Sequence, residues 1–411
     1  MRRAVLLSLV CLGCGKSAPP GPAAATASTT AATATMAPSA RPPTPRESAS
    51  AAPATTAAAP SAAGSAARGG GKLKLDAKPV DVATGSRAML FRGGVVVRKR
   101  GGDLAIAKLG DKPGRVDDEG TTFARTRTAI AESPTGSFAV WIEAGALVRR
   151  RLVTDGGEVP PREVLVSDAE EYAPAATMAG ETLVVAYVAK KSGRDDDRRA
   201  RVWVDGRGIS DLSGDSGAST LSLLRRDDTR VLASWVDQRT ALAPIHLAEI
   251  DLSGGKVAVT APTVAWNAPP ADGLLELALV PQRPHPFAFV AGPKNGADFG
   301  LAGVLLEPGA RPRDDARWID YPNGLDPAPV VGVQFCGRPG VVFAKPTGKP
   351  IDAPKVLVHA WVDEKGALGD ELELARAQRF DHADAWSSPT GGWVLYAGDG
   401  RTLVRRLRCA P

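Results

Sequence analysis

Between Gly94 and the C-terminus one element recurs seven times: an apolar strand that closes on an aromatic residue, a polar or glycine-rich loop, then a second strand. The first strands contain Val96, Trp141, Tyr187, Trp235, Phe289, Phe343 and Tyr396, and only the first lacks an aromatic residue. Successive markers lie 45, 46, 48, 54, 54 and 53 residues apart. Partner strands follow at Leu104 to Leu109, Ala146 to Leu152, Ala200 to Val204, Ile245 to Leu252, Leu301 to Leu306, Val356 to Val362 and Leu403 to Arg408. Each pair reads as an antiparallel hairpin. A period of this length fits one four-stranded propeller blade. Aromatic residues make up only 5% of the chain, and glycine and proline together about a fifth, which suits short strands and turns better than long helices.

The repeat predicts an all-β fold, a seven-bladed β-propeller over residues 71–411, with six or eight blades or a pair of β-sandwiches as the alternatives. Blades 2 and 7 share a turn, since Ser133-Pro134-Thr135-Gly136-Ser137-Phe138 parallels Ser388-Pro389-Thr390-Gly391-Gly392-Trp393. The last unit stops at Pro411 with no room for an outer strand, whereas Lys72 to Val82 precedes the first complete unit. Pairing that N-terminal segment with the last blade would close the ring and hide a sheet edge.

The first seventy residues differ in kind. Met1-Arg2-Arg3 followed by the apolar run Ala4 to Gly13 reads as a signal peptide, too short to span a bilayer. The segment Cys11-Leu12-Gly13-Cys14 resembles the lipobox of bacterial lipoproteins, with Cys11 where that family has an aliphatic residue. The resemblance implies a signal over residues 1–13, lipidation of Cys14 as the mature N-terminus, and a membrane contact through the lipid. Without the lipid the protein would be secreted. Gly15 rather than Asp implies placement at the outer membrane, facing the periplasm or the outside. Residues 14–70 are Ala, Pro, Thr, Ser and Gly with few charges and no aromatic residue, a composition that cannot offset chain entropy by burial. They read as a disordered tether with an r.m.s. span on the order of 40 Å.

The formal net charge of +6 is carried mainly by that segment, where six basic residues face the single acid Glu47. The remaining residues hold 45 basic and 44 acidic side chains, so the globular part has no overall electrostatic case for nucleic acid. A monomer is expected.

Cys336 and Cys409 remain after the signal and the anchor, and an exported compartment permits their pairing or leaves two buried thiols. His246, His285, His359 and His382 fall in different units with no ligand spacing, so no metal site is expected. Asp195-Asp196-Asp197 among Arg194, Arg198 and Arg199 lacks the alternating ligands of a calcium loop and reads as a solvated charged loop. Trp235-Val236-Asp237-Gln238-Arg239 resembles the Trp-x-Asp-x-Arg repeat of secreted bacterial propellers related in shape to sialidases. That resemblance implies that Asp237 and Arg239 stabilise a hairpin turn. Phe91-Arg92 is similar to the first arginine motif of sialidases, but Gly93-Gly94 departs from it and no Asp-box follows. There is no phosphate loop and no Gly-x-Ser-x-Gly elbow, and no cofactor is expected.

These readings leave two functions. The first is a membrane-tethered lipoprotein whose propeller binds protein or glycan ligands without catalysis. The alternative is a glycan-active hydrolase or lyase whose site is assembled at the propeller axis, where residues distant in sequence meet.

Overall fold

The computed structural model describes residues 72–410 apart from 77, 85–87, 93, 99–102, 110–126, 154–159, 191–197, 215–216, 239–242, 269–275, 282–285, 296–297, 307–316, 322–328 and 349–352. Cys14, Arg239, His285 and Asp195 to Asp197 therefore lie outside the described residues.

Seven antiparallel sheets follow one another along the chain, and the seven-bladed propeller is the observed fold. Blade 1 is Ala88–Phe91, Gly94–Arg98 and Leu104–Lys108. Blade 2 is Ala129–Ser133, Gly136–Glu143, Ala146–Leu152 and Glu163–Val166, and blade 3 is Ala175–Ala179, Thr182–Lys190, Arg198–Val204 and Gly208–Asp211. Blade 4 runs Ala218–Arg225, Arg230–Asp237 and Ala243–Asp251, with an outer strand split into Ala258–Val259 and Thr263–Ala268. Blade 5 is Glu276–Val280, Phe287–Asn295, Asp298–Leu305 and Arg317–Tyr321, and blade 6 is Val330–Phe335, Arg338–Pro346, Lys355–Val362 and Leu368–Ala377. Blade 7 combines Phe380–Ser388, Gly391–Gly398 and Arg401–Ala410 with strands from the other end of the chain.

The inner strands neighbour one another in a complete circuit, with Phe380–Ser388 returning to Ala88–Phe91. They are rich in Ala and Ser because seven strands converge on one axis and space runs out there. At Gly332 in blade 6 a Cβ would lie 2.1 Å from the carbonyl oxygen of Leu279 in blade 5, so only glycine permits that approach.

Closure joins the two chain ends. The last strand, Arg401–Ala410, pairs with Gly391–Gly398 on one side and on the other with Lys72–Leu75 at its far end and Val80–Thr84 at its near end. The expected outer strand is thus two short strands with a break at Asp76, whose N–H donates to the Arg406 carbonyl and whose carboxylate pairs with Arg406 and Arg408.

Apolar clusters fill the spaces between blades. Trp141 of blade 2 packs with Phe91 and Val96 of blade 1, Tyr187 with Val140 and Leu147 of blade 2, and Trp235 with Val184 and Val202 of blade 3. Each of these aromatics faces the preceding blade. Phe289 instead joins the cluster shared with blades 6 and 7, while its neighbours Ala288 and Val290 face blade 4. The longer spacing before Phe289 therefore places it one residue out of phase, and a one-residue shift in a strand reverses the face. The paired turns of blades 2 and 7 are built alike: in both, the serine hydroxyl lies by the threonine hydroxyl (3.1 and 3.3 Å) and donates to the glycine carbonyl (3.4 and 3.2 Å).

Trp141 is fully buried, whereas Ile209 on the rim of blade 3 is 49% exposed. Trp141→Ala should therefore destabilise the propeller by about 3–5 kcal/mol in denaturant titration, and Ile209→Ala by about 0.5 kcal/mol or less.

Candidate functional site

An inner strand has a partner on one side only, so its other edge presents unpaired N–H groups to the axis. In this propeller carboxylates from neighbouring blades meet several of them. Asp384, on the inner strand of blade 7, accepts a hydrogen bond from the N–H of Leu90 in blade 1 at 2.6 Å and another from Ala385 at 2.9 Å. Glu132 of blade 2 accepts from the N–H of Arg92 and from the Ser137 hydroxyl, the latter at 3.1 Å. Glu276 of blade 5 accepts from the N–H of Val330 in blade 6 at 2.9 Å and pairs with the Arg127 guanidinium. Arg127 lies two residues before the inner strand of blade 2, so its ion pair links blade 2 to blade 5.

These four side chains form the candidate site. The inner strand of blade 1 is held from both sides, by Asp384 at Leu90 and by Glu132 at Arg92. Leu90 lies on that strand and Arg92 in the turn that follows it, and the Glu132 charge acts on Asp384. Asp384 keeps partial solvent access but is crowded by protein. Burial is the largest influence on it and pushes its carboxyl up to about 6; its two backbone hydrogen bonds and Arg127 act against that, and the Glu132 charge adds to it. Such a group changes charge near neutral pH and can hold or release a proton. The glutamates act as hydrogen-bond acceptors.

None of these four residues stood out in the sequence. They lie on three blades and up to 257 positions apart, Arg127 to Asp384, with no local spacing to mark them. A polar residue interrupting an otherwise apolar inner strand, as Glu132 does after Ala129-Ile130-Ala131, was the available signal.

The residues singled out by sequence have other places. Cys336 and Cys409 are joined by a disulfide with their Cα atoms 5.7 Å apart. Cys336 sits with Gly337 at the tip of the first hairpin of blade 6, both at positive φ (51° and 72°), as a two-residue hairpin turn demands. Asp237 is buried and accepts from the N–H of Gly217, holding the approach to the inner strand of blade 4. Arg198 lies over the Tyr172 ring and Arg199 pairs with Asp211. His246 stacks on Trp235, and His382 contacts the Met89 sulfur at 3.2 Å through Nε2. His359 is buried between Phe335 and Trp361, and a Cβ on Gly340 would lie 2.5 Å from its Nε2. Burial, and next the Arg338 charge, push its imidazole down to about 4. Among the described residues no group of three or more His, Cys, Asp or Glu is arranged to hold a metal.

A cavity of about 750 Å³ lies off the axis between blades 5 and 6. Its apolar wall, Phe287, Phe289 and Leu301, is no more than 2% exposed, so mainly the turn from Asp363 to Gly369 meets water there.

No protein-family model and no curated protein matches the sequence. Among solved structures the chain is similar to two neuraminidase-like proteins, one of A/little yellow-shouldered bat/Guatemala and one from A/bat/Guatemala. The first shows 10% identity and a TM-score of 0.40, covering 69% of this chain and 93% of that one. The second shows 9% identity and a TM-score of 0.43, covering 69% and 88%. A triple arginine-to-alanine mutant of AofleA from Arthrobotrys oligospora shows 10% identity and a TM-score of 0.41, covering 68% and 82%. Likenesses this weak carry no argument about function.

Two groups shifted by burial give opposite pH dependences. The Asp384 carboxyl is raised above its unfolded value, so the native state holds the extra proton and stability falls as pH rises from about 4 to 6, by on the order of 2 kcal/mol. His359 is depressed, so the unfolded state holds the extra proton and stability falls as pH drops from about 6.5 to 4, by roughly 3 kcal/mol. Asp384→Asn should raise the denaturant midpoint above pH 6 and leave acid sensitivity unopposed. His359→Phe should remove that sensitivity, both read from midpoints at pH 4.5 and 7.5.

Proposed function

We propose that this chain is a membrane-tethered envelope protein whose propeller binds a protein or glycan ligand at its axis. The reading joins two strands of argument. The lipobox-like Cys11-Leu12-Gly13-Cys14 and the polar segment that follows supply the anchor and the tether. The observation that carries the binding role is the convergence of Arg127, Glu132, Glu276 and Asp384 from three blades, with three acids against one base. Their backbone hydrogen bonds fix the carboxylates before any ligand arrives, so hydroxyl or ammonium donors meet a preorganised set of acceptors at little ordering cost. The same bonds favour binding over turnover, because each acid is already engaged in holding a neighbouring blade.

One observation favours the second reading, glycan hydrolysis. Asp384 and Glu132 accept from backbone N–H groups two residues apart, and the Glu132 charge acts on Asp384, so two carboxylates face one site as glycosidases require. Asp384, pushed up to about 6, would serve as the proton donor and Glu132 as the second carboxylate.

A glycan panel incubated with the protein, its Asp384→Asn variant and its Glu132→Gln variant separates the two. Binding without turnover, weakened about tenfold or more by either substitution, supports the ligand-binding role. Turnover that falls by a factor of about 10² or more in both variants makes the protein a hydrolase. Neither binding nor turnover, together with no change in captured envelope proteins between wild type and variants, removes the axis from the function. The anchor is tested separately: radiolabelled fatty acid should enter the wild type and not Cys14→Ser.

A further inference from the structure

We propose that the Cys336–Cys409 disulfide is a redox-sensitive lock on ring closure, and that its reduction releases the N-terminal strand Lys72–Leu75. Three elements meet at this bond. Cys336 is at the first hairpin tip of blade 6, and Cys409 is on the last strand of the chain. Leu73, the residue paired with Cys409, packs in the same apolar cluster as Phe335, Leu407 and Cys336. The disulfide therefore fixes the surface against which the N-terminal strand is laid, without bonding to that strand.

The strand itself is weakly held. It is four residues long, and of these only Leu73 is buried; two are exposed. Burial of Leu73 contributes about 1.5–3 kcal/mol and half-buried Leu75 a smaller amount against the same cluster, so local opening lies below global unfolding. The next strand, Val80–Thr84, has a different footing, because Val82 and Ala83 pack in the core between blades 7 and 1. Release is thus expected to stop at the break near Asp76. Once the disulfide is cut, the far end of Arg401–Ala410 keeps the Cys409 N–H to the Thr390 carbonyl and the ladder to Gly391–Gly398, and Lys72–Leu75 keeps its own four-residue ladder, with the Asp76 N–H to the Arg406 carbonyl and the two ion pairs of Asp76 beside it.

Both cysteines are partly exposed, so a small dithiol can reach the sulfur atoms. A thiolate of the dithiol attacks one sulfur and the S–S bond breaks. Its second thiol displaces the mixed disulfide, so two electrons pass to the protein, each cysteine sulfur takes up a proton, and the dithiol leaves as its own disulfide. If the tether reading above holds, freeing residues 72–75 adds up to about 14 Å to the reach of the propeller from its anchor. The lock does not depend on that reading, and its test does not involve the anchor.

Amide hydrogen exchange is measured on the full chain, oxidised and after treatment with a dithiol. Exchange should accelerate about tenfold or more in Lys72–Leu75 and in the last residues of Arg401–Ala410, with Thr182–Lys190 in blade 3 unchanged. The Cys336→Ser, Cys409→Ser double variant should show the same pattern without reductant. Equal protection in the oxidised and reduced forms overturns the proposal. So does a simultaneous loss of protection in every strand on reduction, since the disulfide would then hold the whole fold rather than one strand.

Discussion

A sheet array that turns through a full circle must bring its first and last blades into register, and in this chain one strand does that work. Arg401–Ala410 is hydrogen-bonded along both edges, to Gly391–Gly398 inside and to the two N-terminal strands outside. Without those N-terminal strands the outer edge of blade 7 would be a row of unpaired N–H and carbonyl groups. The apolar clusters between blades 5, 6 and 7 and between blades 7 and 1 depend on the same strand, through Leu407 and Val404. The disulfide adds a covalent link from this strand to blade 6, closing a loop of 73 residues.

The opposite edge problem arises at the axis. Inner strands present unpaired N–H groups along their free edges. Carboxylates from adjacent blades meet three of these groups, at Leu90, Arg92 and Val330. The arrangement has an electrostatic consequence, since acids concentrated at an axis repel one another and lose water. Arg127 relieves part of that charge at Glu276, and Asp384 responds by holding its proton up to about pH 6. Blade cohesion and a reactive carboxyl thus share one origin.

The blade count was legible because each marker strand has to bury a large side chain between sheets, and Trp141, Tyr187, Trp235, Phe343 and Tyr396 recur at a readable spacing. The face of each marker was less so. Phe289 looks equivalent to its counterparts in sequence, yet it turns toward blade 6, because the strand period is two and a single residue reverses direction. The last blade's missing strand could be found by counting, although the break at Asp76 could not.

The sequence by itself determined the strand repeat, the closure by the two chain ends and the distinct character of residues 1–70, because these depend on local composition and periodicity along the chain. Tertiary structure alone decided that Cys336 lies beside Cys409, and that Arg127, Glu132, Glu276 and Asp384 share the axis. Those contacts arise only when blades far apart in sequence are wound round a common centre. No local spacing records which polar residue on an inner strand will then face its counterparts.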